Sequence, residues 1–187
     1  MFQLNDREQA LLLKIARDAV LSYLSGRAPS YPPITDGPLT GSYGVFVSLH
    51  EKSELRGCIG NVHSTKPLYR SVAEAAVSAA VGDPRFTPLT VLEMPRVDFE
   101  ISVLSPMTKV DDVASVEVGR DGLMISRGGA RGLLLPQVAS SYGWDRERFL
   151  AETCRKAGLK PGAWKDGDTT IFRFTAYVFG EGKLSTK

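Results

Sequence analysis

Cysteine and histidine are scarce in this chain, with two of each in 187 residues. Cys58 and Cys154 lie far apart and cannot form the dense disulfide framework of a small secreted domain. Reduced thiols in a cytosolic protein are therefore expected. His50 and His63, even taken with Cys58, match no familiar zinc spacing, so no metal or other cofactor is expected, and both are read as surface turn residues. Charge of one sign is also missing. The formal net charge is +2, with no basic stripe of the kind that nucleic-acid binders carry. No apolar run approaches the roughly 20 residues that span a bilayer. The start, Met1 to Glu8, lacks the basic-then-apolar pattern of a signal peptide. A cytoplasmic protein without membrane attachment is the expectation.

What is present is ordinary globular material: 43% hydrophobic and 24% charged residues, enough for one sizeable core with a second small lobe. Asn5 followed by Glu8 predicts a capping box, and Leu11, Leu12, Ile15, Ala19 and Tyr23 recur at helical spacing up to Gly26. Residues 26–42 are rich in proline and glycine and predict a long loop. Residues 43–50 and 55–62 read as a β-hairpin around a short polar turn. Pro67 opens an alanine-rich helix running to Ala80, with Gly82 as its cap. Residues 83–88 are an irregular connector. The alternation of Val97, Phe99, Ile101 and Val103 with polar residues predicts a half-buried strand over 97–104.

A meander of strands at 115–119, 123–127 and 131–135 is expected next, with turns at Asp121-Gly122 and Gly128-Gly129-Ala130. Pro136 opens a short helical segment. Asp145 caps a helix bearing Phe149, Leu150, Cys154 and Ala157 on one face, so Cys154 is read as core. One strand over 170–179 closes the chain. Strands cluster between helices without βαβ alternation, which predicts an α+β fold with a mostly antiparallel sheet packed with helices.

One segment is chemically unusual: Leu55-Arg56-Gly57-Cys58-Ile59-Gly60. In a regular strand Arg56 and Cys58 share a face, with α-carbons roughly 6.6 Å apart. A guanidinium at that range favours a thiolate. Gly57 and Gly60 leave bare backbone where a ligand can approach, and amides there would offer an oxyanion site. The alternative is structural. Free cysteine is often a small apolar filler, and strand glycines often mark bulges or close helix packing. Asp83 and Arg85 either pair with each other or line a cleft beside the hairpin. Gly128 to Gly132 resembles a phosphate loop but lacks its lysine and its strand-to-helix setting, so it reads as a turn flanked by Arg127 and Arg131. Trp144 and Trp164 are read as anchors of the C-terminal region.

Several blocks together carry a resemblance. Leu55 to Gly60, Asp83-Pro84-Arg85-Phe86-Thr87-Pro88-Leu89, Glu100 to Leu104 and Gly132 to Ala139 occur in order, followed by Trp144, Phe149-Leu150, Cys154, Lys156 to Leu159 and Trp164. Over nearly the whole chain this resembles the AMMECR-type domain, named for the Alport syndrome, midface hypoplasia and elliptocytosis chromosomal region. Its microbial members are similar to protein A of the AmmeMemoRadiSam system, which also contains a Memo-like protein and a radical S-adenosylmethionine protein. The resemblance implies a single α+β domain with a larger lobe, an inserted or appended smaller lobe and a cleft between them. It also implies a cytoplasmic protein and those two proteins as partners. Two functions follow as expectations. One is a cysteine-dependent enzyme or modification factor, with Cys58 and Arg56 catalytic and Gly57, Gly60, Asp83 and Arg85 in substrate contact. The other is a non-catalytic binding or scaffold module.

Overall fold

The structure, a computed structural model, describes residues 4–181. Residues 1–3, read above as part of a start without a signal-peptide pattern, lie outside the described residues, as do 182–187. Asn5 and Glu8 form the capping box: the Glu8 N–H donates to Asn5 Oδ1 at 2.9 Å and the Asn5 N–H to Glu8 Oε2 at 2.8 Å. They start α1 (Asp6–Leu24), which buries Leu12, Ile15, Ala16 and Ala19 along one stripe. Tyr23, the last residue of the predicted stripe, is exposed instead.

The hairpin is β1 (Val45–Glu51) and β2 (Glu54–Asn61), followed by α2 (Leu68–Val81) and β3 (Val97–Leu104). With β8 (Ala176–Gly180) these strands form a sheet in the order β2-β1-β3-β8, so β2 is an edge strand. Val45, Val47 and Leu49 alternate with half-buried residues along β1 and join a core with α1, α2 and β3. Residues 4–104 and 177–181 make up this compact unit.

Residues 105–176 form a second unit with its own core. Its sheet runs β4 (Thr108–Lys109), β7 (Thr170–Phe174), β5 (Gly122–Arg127), β6 (Ala130–Leu134), all paired antiparallel. α3 (Pro136–Ser141) and α4 (Arg146–Lys156) complete it. Phe149, Leu150 and Cys154 on α4 are fully buried, and burial pushes the Cys154 thiol pKa up. Trp144 and Trp164 pack half-buried against the same core. The chain is thus α+β with two antiparallel sheets.

Two predicted strands differ from the structure. Residues 115–119 form no strand. Asp112 caps a single turn at Val113–Ser115, and buried Asp121 folds back to accept the Glu117 N–H at 2.9 Å. That side-chain bond satisfies backbone that a strand ladder would otherwise use. The strand expected over 170–179 is two strands in different sheets, separated at Thr175. Continuous apolar alternation cannot reveal a change of sheet.

Among the described residues, no helix is long and apolar enough to cross a membrane.

Candidate functional site

The unusual strand is the exposed edge of its sheet, and its geometry departs from simple alternation. Leu49 pairs with Gly57 and His50 with Leu55, which leaves Arg56 as the extra residue of a β-bulge. A bulge re-aims its side chain. The Arg56 guanidinium turns to the loop before β3, donating from Nε and Nη2 to Glu93 Oε1 at 3.1 and 2.9 Å and from Nη1 to the Thr87 carbonyl at 2.9 Å. Both partners of this ion pair are largely buried. The regular-strand expectation that Arg56 stands beside the Cys58 thiol is therefore corrected.

Glu93 was not singled out from the sequence, although Thr90-Val91-Leu92-Glu93 has capping-box spacing. The Thr90 N–H and hydroxyl both donate to Glu93 Oε2 at 2.8 Å. Burial pushes the Glu93 carboxyl pKa up, but the Thr90 and Arg56 bonds outweigh it and hold it below its ordinary value. The turn is thus tied at both ends while its apolar residues face out: Val91 is 47% and Leu92 84% exposed. Leu55, next to Arg56, is 39% exposed.

Asp83 and Arg85 do pair with each other, and together they close the strand edge. Arg85 Nε and Nη2 donate to the two Asp83 oxygens at 2.9 and 2.7 Å. The outward Cys58 N–H donates to Asp83 Oδ2 at 2.9 Å, and Arg85 Nη2 donates to the Cys58 carbonyl at 3.3 Å. Two side chains thus occupy the hydrogen-bonding groups that a neighbouring strand would use. The Arg85 bonds hold the Asp83 carboxyl well below the usual carboxylate range, against the opposing effect of burial. The cation against Cys58 is Arg85, not Arg56.

The glycines are spoken for as well. A Cβ on Gly57 would sit 2.2 Å from the Ala79 carbonyl oxygen of α2, and one on Gly60 would sit 2.5 Å from the Phe46 ring. Bare backbone here admits a helix and an aromatic ring. The Cys58 thiol is half-buried and accepts the Ser48 hydroxyl at 3.2 Å from the paired strand.

His63 is exposed beyond β2, as expected. His50 is not a turn residue: it is half-buried within β1, and its Nε2 has no hydrogen-bond partner among the described residues. Neither histidine hydrogen-bonds Cys58 among those residues, and no cluster of His, Cys, Asp or Glu there is placed to hold a metal. Gly128 and Gly129 form the β5–β6 turn, with Arg127 paired to Asp166 and Asp168 at 2.8 Å each.

The AMMECR1 family model matches residues 13–179. This chain belongs to the AMMECR1 family. A protein of Methanothermobacter thermautotrophicus is 45% identical, covering 93% of this chain and 94% of its own length. Protein PF1979 of Pyrococcus furiosus is 42% identical over 97% of this chain and 91% of its own. The crystal structure of the uncharacterized protein PH0010 from Pyrococcus horikoshii is similar across 97% of this chain and 95% of that one, with a TM-score of 0.91 and 41% identity. In this AMMECR1-family chain the six-residue block Leu55 to Gly60 is a braced strand edge, its arginine, its glycines and the backbone of its cysteine all engaged inside the protein.

Proposed function

We propose that this chain is a cytoplasmic binding module that docks a partner protein through the braced rim formed by the start of β2 and the 90–93 turn. One observation carries the reading: Leu92, 84% exposed, is presented on a turn fixed by Glu93, Thr90 and Arg56. An apolar side chain carried on a braced turn needs little further backbone ordering on binding, which is what an interface anchor needs. Leu55 and Val91 flank the Arg56–Glu93 pair in sequence and add apolar surface. The partners are the radical S-adenosylmethionine protein and the Memo-like protein that the family resemblance implies. Co-purification tests this. Leu92→Glu is expected to weaken retention of the radical S-adenosylmethionine protein about tenfold or more, while thermal stability stays at the parent value. Parent-like retention by that variant would remove this surface from the proposal.

A second reading keeps Cys58 as a reactive thiol, with Arg85 in the role first assigned to Arg56. It is favoured by the half-buried Sγ, which accepts one hydrogen bond from Ser48, and by the Arg85 guanidinium, which bonds the backbone carbonyl of the same residue. On this reading, iodoacetamide alkylates Cys58 in the folded protein faster than an ordinary thiol, and Arg85→Ala slows it. A slow rate that Arg85→Ala leaves unchanged would eliminate thiol chemistry here.

A further inference from the structure

Away from the β2 edge, α1 and α2 pack through small side chains. Ile15, Ala19 and Ala73 form a small core cluster bordered by Tyr31, Tyr69 and Val77. The proline-rich loop crosses this helix pair and sets the Tyr31 ring edge-on to Tyr69, with centroids 5.6 Å apart at 70°. The loop does not fill the whole depression. A cavity of about 410 Å³ remains, floored by Ala19, Ala73 and Val77 and walled by Tyr23 and Tyr31. That volume falls within the range of small-molecule sites.

The charges at its mouth are unequal. Glu74 is committed, with both oxygens accepting from Lys66 Nζ at 2.7 Å. Arg27 also lines the cavity, and its side chain has no hydrogen-bond or ion-pair partner among the described residues. Burial first, then the Glu74 carboxylate, pushes the Tyr31 phenol pKa up, so Tyr31 stays a neutral donor across the physiological range. Tyr23 lines the same cavity and is 56% exposed.

We infer that this cavity binds a small aromatic carboxylate, its ring between Tyr23 and Tyr31 over the alanine floor and its carboxylate on Arg27. Planar walls select a flat apolar body. The one uncommitted guanidinium selects a planar anion that accepts two N–H bonds side by side. The site is independent of the docking rim.

The probe is 2-naphthoate, with its neutral carboxamide as comparison, followed by methyl NMR on the full chain. Naphthoate is expected to shift the Ala73 and Val77 methyl resonances saturably and to bind about tenfold tighter than the amide, the contribution of a charge-assisted pair. Arg27 is exposed, so Arg27→Ala keeps the parent fold by circular dichroism and brings naphthoate down to the affinity of the amide. Arg27→Lys keeps part of the preference. Equal binding of acid and amide by the parent, an unchanged preference in Arg27→Ala, or the absence of shifts at these methyls would each overturn the inference.

Discussion

Asp83 keeps a charge with its side chain only 2% exposed, and four donors explain how: the Cys58 N–H, the Arg85 backbone N–H and two nitrogens of the Arg85 guanidinium. A buried carboxylate survives only when its lone pairs are taken. Its folded pKa lies below the ordinary 3.8, so the clamp adds stability that is whole above about pH 4 and lost as pH falls through the depressed value. Arg85 is 57% exposed, which screens part of the pair. Asp83→Asn is therefore expected to cost about 2–3 kcal/mol at neutral pH, by urea denaturation. The difference from the parent should shrink steadily below pH 4, and a difference unchanged down to pH 2 would contradict the clamp. Neither the bulge at Arg56 nor the pairing with Glu93 was legible from residue types. Alternation assumes an unbroken ladder, and one extra residue changes where a side chain points.

At the scale of elements, the hairpin carries an avoidable cost. Lys52 and Ser53 connect β1 to β2 with φ of 51° and 68°, both in the left-handed region. Tight two-residue hairpins need that geometry, which Asn-Gly adopts with least strain. Lys52→Asn with Ser53→Gly is expected to raise stability by about 1 kcal/mol, measured as an upward shift in melting temperature. A fall in melting temperature would mean that the native side chains hold the turn. The hairpin itself was readable, because polar turn residues separate two β-rich runs. So was its close packing. Gly57 receives the Ala79 carbonyl of α2, and Gly132 on β6 plays the same part toward α4, where an added Cβ would lie 2.2 Å from the Ala157 nitrogen. Gly57 follows the structural alternative for its strand, in which a missing side chain lets a helix backbone approach, whereas the sequence reading places Gly132 only in the glycine-rich turn segment. The meander was less readable, since Asp121 draws its own loop inward.

At the scale of the whole molecule, two cores with separate residue sets support two units. Leu92 belongs to neither core, so the docking prediction carries its own control: a charge there should leave folding intact and affect association alone. The sequence by itself determined the α+β class, the Asn5–Glu8 capping box, the core faces of α1 and α4 and the burial of Cys154. These depend on local periodicity and on neighbours a few residues apart, which the chain writes in order. Tertiary structure alone decided that Arg56 serves Glu93, 37 residues away, and that Asp83 seals Cys58, 25 residues away. Such pairings depend on which strand lies at the sheet edge and on how the connecting loop returns to it. No local pattern encodes that, because the same charged residues in another register would have met other partners or water.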